Sequence, residues 1–422
     1  MIKKGRKPLS FMLGYNLIYL GVNYLWISYE TMILPTQVSL FISLASASFI
    51  LGLTASIGNT FGILGNLGSG FLVDHIRKKL GMRCIVTLVG ISGVVISLLF
   101  EATTKLSLLF LIAGYVSIQA FSNISMGSIQ PVIAEIGNET DRGTSAGING
   151  LFTLTGSALG FGITSTLLSS GLYDSSIYSI MIGITITGIG SAFVIAMHDR
   201  RSQRTVPPKT TREKSLREIE NTNFSLLAIG SFFVFSGITG LTYFELFFFR
   251  TVLHSSNPDL LVGIAGITVL SISAISSIVV GHFSHRLGRV RILEIAAIVA
   301  AIPTFMIPFF HNFYIFLILG SFIGASYGVY YSVSFAMAGE LTPHGHSGRY
   351  IAFFYLSISM ASALSPTLYG SMIFLFSQTY DNGFLALFSS SGFLYLVGAF
   401  ILNYMDRRSR NPNSNSKSTM KE

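Results

Sequence analysis

The chain has 422 residues, of which 50% are hydrophobic and only 11% are Asp, Glu, Lys or Arg. Soluble domains carry about 25% charged residues, so most of this chain cannot face water, and a soluble enzyme is excluded. The net charge of +9 does not indicate nucleic-acid binding, because the basic residues lie in short loops beside apolar segments. That pattern encodes orientation in a membrane.

Uncharged runs show where the chain crosses the membrane. Residues 31–73, 295–339 and 350–380 contain no Asp, Glu, Lys or Arg. A helix needs about 20 residues to cross a hydrocarbon core of about 30 Å, so 31–73 and 295–339 each hold two crossings, which also excludes a single-span anchored domain. We predict an all-α membrane protein with twelve transmembrane helices, at residues 10–34, 46–73, 84–100, 106–130, 146–170, 177–197, 224–247, 260–281, 292–310, 313–338, 351–376 and 384–404.

The positive charges indicate the orientation of these spans. All but two of the 27 Lys and Arg residues lie at the termini or in the loops after even-numbered spans, and only Lys105 and Arg250 fall on the other side. By the positive-inside rule both termini are cytoplasmic, and the even number of spans requires the same result. We therefore predict a multi-pass protein of the plasma membrane, embedded in the lipid bilayer with both termini in the cytoplasm.

Segment 198–223 is the one long hydrophilic connection, and it divides the chain. We predict a six-helix bundle over 1–197, a cytoplasmic linker over 198–223, a second six-helix bundle over 224–405 and a disordered tail over 406–422. An amphipathic helix on the inner leaflet is the alternative for the linker. The single cysteine excludes disulfides, and the eight His residues lack metal-ligand spacing, so no metal or cofactor is predicted.

The two halves repeat three landmarks in the same order, which indicates a duplicated six-helix bundle. Each landmark is a pair: Glu30 and Glu245 near the ends of spans one and seven, the Gly- and Arg-containing loops 70–83 and 281–291, and Glu135 and Glu340 after spans four and ten.

The loop after span two resembles the inner-loop motif of major facilitator superfamily transporters, Gly-x-Leu-(small)-Asp-Arg-x-Gly-Arg-Arg. This chain keeps Gly70, Leu72, Asp74, a basic cluster and Gly81, but His75 replaces the Arg that follows the Asp. Gly81 lies seven residues past Asp74, and this wider spacing is similar to sucrose-type transporters and to the glycoside–pentoside–hexuronide cation symporters. The resemblance implies two pseudo-symmetric six-helix bundles around a central site.

The resemblance also implies a cytoplasmic gate. We expect Asp74 to end its helix, where its carboxylate meets the negative end of the macrodipole and therefore needs a partner in the basic loop or at the start of span eleven. Gly70 is expected to let two backbones approach closely. Solvated loop charges are the alternative. The predicted gate comprises Gly70, Asp74, Arg77, Gly81 and Arg83, with Gly281, Arg286, Gly288 and Arg289 in the second half.

Glu30 and Glu245 are acids inside predicted spans. A charge at the bilayer centre costs about 2.5–3.5 kcal/mol even on the more lenient membrane-insertion scales. An acid inside a membrane span therefore indicates a functional role. We predict that they exchange the coupling proton, or another cation, or contact substrate. The alternative is structural, because both lie near the outer interface and Arg250 is placed to pair with either acid.

A polar stripe marks the predicted substrate cavity. Asn16, Asn23 and Glu30 recur every seven residues and so share one face of the first helix. In the resembled family, spans one, four, seven and ten line the central cavity. Interhelical hydrogen bonding uses the same residue types and is the alternative. The predicted cavity residues are Asn16, Asn23, Trp26, Gln119, Asn123, Tyr243, Tyr327 and Tyr331.

Span five carries Gly147, Gly156 and Gly160, which resemble the glycine motif of drug/proton antiporters, although Phe161 stands where that motif has Pro. Packing against span eight is the alternative reading of these glycines.

These residues favour transport over catalysis. Predicted cavity-lining stretches contain no Lys or Arg, which disfavours anionic substrates. The leading interpretation is a monomeric secondary active transporter, proton-coupled, for a small neutral organic solute such as a sugar. The alternatives are proton-antiport efflux of amphipathic compounds and a receptor that binds solute without moving it. An integral-membrane enzyme is disfavoured, because no cluster of catalytic groups is predicted.

Overall fold

The computed structural model describes residues 8–80, 82–103, 107–136, 139–202, 222–342, 347–378 and 383–410. Every regular element within these ranges is helical. The long helices are α1 (Leu9–Ser28), α2 (Leu44–Leu80), α3 (Cys84–Thr103), α4 (Leu108–Ile129), α5 (Glu139–Leu159), α6 (Tyr173–Ser202), α7 (Thr222–Thr239), α8 (Pro258–Leu287), α9 (Arg289–Met306), α10 (Phe313–Glu340), α11 (Ser347–Leu375) and α12 (Phe384–Arg410).

Short segments continue several of these helices. α1 runs on through a π-helical turn, Tyr29–Ile33, into Leu34–Ser39, and α5 runs on through a π-helical turn, Gly160–Thr164, into Ser165–Ser169. The remaining short elements are Pro131–Glu135 after α4, Leu241–Tyr243 and Glu245–Thr251 after α7, and Ile307–Phe309 after α9.

The predicted all-α membrane fold is confirmed. Within the described ranges, eleven helical stretches, at α2 to α12, are long and apolar enough to cross a bilayer. α1 is not among them, because Asn16, Asn23 and several tyrosines lower the hydropathy of its 20 residues. Its π-helical and α-helical continuations add the five residues Tyr29–Ile33 and the six residues Leu34–Ser39.

The described residues divide into two compact units. The first unit contains 8–202 together with 245–250 and 255–266, and the second contains 222–244, 251–254 and 267–410. Residues 245–250, after α7, and residues 255–266, which include the first turns of α8, therefore pack with the first unit. The boundaries predicted from the linker sequence stay a prediction.

Helix packing repeats between the units. In the first, α1 packs against α5 and α6, α3 packs against α4 and α6, and α2 packs against α4. In the second, α7 packs against α11 and α12, and α9 packs against α10 and α12. α8 meets α10, where Ser276 Oγ donates to the Ala325 carbonyl at 2.9 Å. The partner sets correspond in chain order, as expected for a duplicated bundle.

Small residues permit these helices to lie close together. A methyl group at Gly65 of α2 would lie 2.6 Å from the Ala120 carbonyl oxygen of α4. A methyl group at Gly324 of α10 would lie 2.8 Å from the Val269 carbonyl oxygen of α8. Close backbone approach through small residues is the usual means of helix association in membranes.

Candidate functional site

Glu30 lies in the π-helical turn that follows α1, against α4. Gln119 Nε2 donates a hydrogen bond to Glu30 Oε1, and the Tyr115 hydroxyl donates to the same oxygen at 3.3 Å. Gln119 Nε2 also lies 2.7 Å from the Tyr115 hydroxyl oxygen. These three residues form what we term the Glu30 triad. Single π-helical turns inside α-helices are frequent at functional sites.

Two further predicted cavity residues lie near the triad, Trp26 on α1 and Asn123 on α4. Trp26 Nε1 donates to Ser122 Oγ of α4 at 3.2 Å, and Asn123 Nδ2 donates to the Gln119 carbonyl at 3.0 Å. Both Trp26 and Asn123 are half-buried. The structure therefore brings Trp26, Glu30 and Gln119 together between α1 and α4. Asn123 instead faces α2, since a methyl group at Gly62 would lie 2.7 Å from its Nδ2.

Asn16 and Asn23 contact α5 rather than α4. Asn16 is 1% exposed, and its Nδ2 donates to Ser145 Oγ at 3.1 Å and to the Met12 carbonyl at 2.8 Å. Asn23 is half-buried and donates to the Tyr19 carbonyl at 2.7 Å. The contacts of Asn16 match the interhelical alternative, since they join α1 to α5 inside the bundle.

The glycines of span five pack against span one. A methyl group at Gly156 would overlap the Leu20 carbonyl oxygen of α1, and one at Gly160 would lie 3.1 Å from Ile27. A methyl group at Gly147 would meet no described atom within 4 Å. Where span five meets span eight, the glycines belong to α8: Gly263 faces Ser165, and Gly266 faces Phe161. The alternative interpretation, in which the glycines of span five themselves pack against span eight, therefore does not describe Gly156 and Gly160.

Glu245 is the first residue of the short helix Glu245–Thr251. It is half-buried and forms no hydrogen bond or ion pair with another residue of the described ranges. An acidic side chain in a first helical turn is favoured by the macrodipole. Arg250, in the last turn of the same helix, donates to Ser39 Oγ at 3.3 Å.

α7 is interrupted before Glu245, at Gly240, where a methyl group would overlap the ring of Tyr369. Helix ends leave carbonyl groups without intrahelical partners. Here the Tyr369 hydroxyl donates to the Ser236 carbonyl at 2.7 Å, and Ser391 Oγ donates to the Gly237 carbonyl at 2.6 Å. The predicted cavity residue Tyr243 lies in the interruption and is 3% exposed.

Tyr327 and Tyr331 belong to an aromatic cluster in the second unit. The Phe235 ring of α7 lies 6.1 Å from each of them, and Tyr331 lies 4.8 Å from Phe335, which in turn lies 4.8 Å from Tyr355. Tyr331 is 42% exposed. We call these five residues the α10 aromatic cluster.

The expectation that Asp74 ends its helix is wrong. α2 continues to Leu80, so Asp74 lies inside the helix. The segment after Asp74 contains no Gly or Pro before Gly81, and its side chains favour continuation of the helix beyond the membrane. The side chains of Asp74, Arg77 and Arg286, and all of Gly81, lie outside the described part of the chain.

Gly70 and Arg83 differ in their surroundings. A methyl group at Gly70 would meet no described atom within 4 Å, so the expected close approach is not present there. Arg83 instead forms an ion pair inside the first unit, with Nη2 2.9 Å from Asp199 Oδ1. The exposed fractions of the two side chains are 0% and 1%. This pair joins the start of α3 to the end of α6.

The corresponding loop of the second unit is joined differently. Gly281 of α8 faces Ser332 of α10, and a methyl group there would lie 2.6 Å from its Oγ. Gly288 has φ +85°, a conformation that side chains rarely adopt, and makes the turn into α9. Arg289 Nη1 lies 2.5 Å from Glu340 Oε1. A role of these residues in a gate stays a prediction.

Glu101 is a buried acid that the sequence interpretation placed just beyond the third span. α3 extends to Thr103, and Glu101 is 4% exposed. The Tyr29 hydroxyl donates to Glu101 Oε2. The predicted span 84–100 is shorter than the about 20 residues that a crossing requires, and this shortfall was the signal that Glu101 belongs inside it.

The family model of the Major Facilitator Superfamily matches residues 11–273 and 257–421. The chain belongs to the Major Facilitator Superfamily. As a member of this superfamily it is a membrane transporter and not an enzyme. No curated protein matches the chain in sequence.

Solved structures of other superfamily transporters resemble this one. A D-xylose-proton symporter has a TM-score of 0.70 at 16% identity, with 93% of this chain and 96% of that chain covered. The nucleoside transporter NupG has a TM-score of 0.69 at 15% identity, with coverages of 94% and 98%. A bacterial homolog of the human lysosomal transporter Spinster has a TM-score of 0.64 at 14% identity, with coverages of 95% and 96%. At these identities the likeness shows the fold.

Proposed function

We propose that this superfamily transporter couples proton movement to the transport of a small neutral organic solute such as a sugar, with Glu30 as the coupling residue. The observation that carries the proposal is the Glu30 triad, in which one carboxylate oxygen accepts from both Gln119 and Tyr115. An acid inside an apolar helix is costly unless it has a function.

Protonation changes the chemistry of the Glu30 triad. An ionised carboxylate only accepts hydrogen bonds, so it holds the Gln119 amide and the Tyr115 hydroxyl as donors. A protonated carboxyl also donates and is a weaker acceptor, so its hold on both donors is loosened. Proton binding at Glu30 thereby decides whether the Gln119 amide is available to a solute.

The substrate class follows from the side chains beside the triad. Trp26 offers an aromatic face, and Asn123 offers an amide. Amide and hydroxyl groups match the hydroxyls of a neutral solute, whereas a bound anion would call for Lys or Arg. The named D-xylose-proton symporter and nucleoside transporter share the fold and carry hydroxylated solutes, which supports this class.

The proposed setting is the plasma membrane, with a single chain as the working unit and both termini in the cytoplasm. The distribution of Lys and Arg supports this orientation. Alternating access then exposes the site to one side at a time. Asp74 and the basic residues that follow it are proposed to act at the cytoplasmic face.

A second candidate function is proton-antiport efflux of amphipathic compounds. The α10 aromatic cluster favours it, because neighbouring aromatic rings with a partly exposed tyrosine accept flat apolar or cationic molecules. A receptor that binds solute without moving it is the remaining alternative, and it is distinguished by the absence of flux.

The proposal is tested by counterflow in proteoliposomes with a panel of labelled sugars and nucleosides, with and without a pH gradient. We expect the wild-type protein to accumulate at least one solute in response to the gradient. Glu30→Gln should retain counterflow but lose the response to the gradient. Accumulation that is unchanged by the gradient and by the substitution Glu30→Gln contradicts proton coupling. Gradient-driven extrusion of dyes without sugar counterflow favours efflux.

A further inference from the structure

A cavity of about 700 Å³ lies within the first unit, and its lining includes none of the residues of the Glu30 triad. It lies at the end of the unit that carries the α1–α2, α3–α4 and α5–α6 connections, which we call the distal end. Its lining includes Gln37, Phe41, Glu101, Phe110, Tyr173 and Asp174.

Glu101 is the buried acid in this lining. The carboxyl has side-chain hydrogen bonds with Tyr29, whose hydroxyl donates to Oε2, and with Gln37, while its Oε1 is buried and has no hydrogen-bond partner among the described residues. The carboxyl group is held against α4, because a methyl group at Gly114 would overlap Oε1. The position of the carboxyl is thus fixed from both sides, by the segment after α1 and by α4.

Among the described residues, the groups around Glu101 do not supply a compensating positive charge. Tyr29 and Gln37 approach from the segment after α1, Tyr173 and Asp174 from α6, and none of the cavity's lining residues is Lys, Arg or His. Lys105 lies outside the described residues. An ionised carboxylate offers about four acceptor sites, and leaving most of them unfilled in a buried position is costly. A proton relieves this cost by neutralising the group.

We propose that Glu101 is a second proton-binding residue of the transporter, loaded from the distal cavity. A proton from water in the cavity adds to a carboxylate oxygen of Glu101, and the same proton returns to water on release. The inference rests on the proposed proton coupling, to which it adds a separate site. In the proposed orientation the distal end faces the outside.

Tyr29 connects this site to the Glu30 triad. It precedes Glu30 in the same π-helical turn, so the two side chains leave one backbone segment in different directions. The Tyr29 ring stacks on the Tyr115 ring, with centroids 5.7 Å apart and planes at 14°. Tyr115 in turn donates to Glu30. A change in the Tyr29–Glu101 hydrogen bond therefore acts directly on a residue packed against the triad.

Infrared spectroscopy of the purified full-length transporter in lipid tests the proposal, since the carbonyl stretch of a neutral carboxyl is separate from that of a carboxylate. We expect a neutral-carboxyl band in the wild type that disappears as the pH is raised and is missing in Glu101→Gln. Asp174→Asn, which alters an exposed acid on the same cavity, is the matched control and should leave this band unchanged.

Tyr29→Phe provides a second test that keeps the carboxyl group. Losing the Tyr29 donor destabilises the ionised carboxylate, so the Glu101 band should persist to a pH about one unit higher than in the wild type. Tyr29→Phe removes one hydroxyl and keeps the ring that stacks on Tyr115, so it also covers the case in which Glu101→Gln does not fold.

The outcomes separate this inference from the proposed function. Identical neutral-carboxyl bands in the wild type, Glu101→Gln and Tyr29→Phe at every pH overturn the role of Glu101, whatever the transport assays show. Loss of gradient-driven uptake in Glu30→Gln together with that spectroscopic result leaves proton coupling standing without a second site. A titrating Glu101 band in a transporter that ignores the pH gradient supports proton binding at Glu101 and contradicts coupling.

Discussion

The side-chain amide of Gln119 donates a hydrogen bond to the carboxylate of Glu30 across the contact between α1 and α4. Nothing in the spacing of the sequence pairs these two residues, which lie on different helices. Their contact joins two separately predicted polar residues, and in the proposed mechanism the amide is the group through which the acid acts on the solute.

Replacing Gln119 by Leu should shift the pH dependence of transport. A hydrogen bond to a charged group contributes about 1.5–3 kcal/mol, and its loss disfavours the ionised form of Glu30. We expect the pH of half-maximal uptake to rise by about one unit or more, measured as initial rates in proteoliposomes. Asn123→Ala is the control, because Asn123 donates to the Gln119 carbonyl rather than to Glu30. Superimposable pH profiles for Gln119→Leu and the wild type would contradict the role of the amide.

Arg83→Ala should destabilise the transporter strongly. Removing one partner of a buried ion pair costs about 3–5 kcal/mol, and the Arg83 and Asp199 side chains are 0% and 1% exposed. Thermal unfolding in detergent measures the loss. Arg289→Ala is the matched control, since its partner Glu340 is 62% exposed and exposed pairs contribute about 0–1 kcal/mol. Equal losses in the two variants would contradict a structural role for the Arg83 pair.

Gly328→Val should disrupt the packing of α8 against α10. A methyl group at Gly328 overlaps the Ser273 carbonyl oxygen, so the helices must separate, and overpacking of this kind costs about 1–3 kcal/mol. Gly150→Val is the control, because a methyl group there meets no described atom within 4 Å. The prediction fails when both variants melt at the same temperature in detergent.

Gly288→Ala should lower stability without a change of charge. Its φ of +85° lies in a region that side chains rarely adopt, and such strain costs about 1–3 kcal/mol. Gly70→Ala in α2 should be neutral or stabilising, since Gly70 is helical and its neighbourhood is open. A thermal-shift comparison of the two variants measures the difference, and an unaffected Gly288→Ala would show that the turn tolerates a side chain.

The fold was predictable because long uncharged runs mark membrane crossings, with two crossings each in 31–73 and 295–339. The ends of the helices were less predictable, since the predicted span two stops before the first charge, whereas α2 continues to Leu80. Asp74 was misplaced for that reason. Glu101 was not predicted as a buried acid, because the predicted span ended at residue 100 and excluded a charged residue that the helix buries.

The candidate site was predictable only in its composition. The seven-residue stripe includes Glu30, and the amide pair on span four includes Gln119, which the structure places in contact with Glu30; their function stays a prediction. Asn16 has the same spacing yet faces α5, because a helix of 3.6 residues per turn rotates about 20° per heptad and the neighbours of each turn differ. At the interruption of α7, Gly240 packs against the ring of Tyr369 from another helix, a contact that no local pattern reveals.

The most direct test of proton coupling is a solute-dependent proton flux. Wild-type protein is reconstituted into vesicles that contain a pH-sensitive dye, and a solute found by counterflow is added outside with no initial pH gradient. We expect the lumen to acidify as solute enters the wild-type vesicles, and we expect Glu30→Gln to admit solute without acidification. Solute entry with no change in luminal pH in the wild type would contradict it.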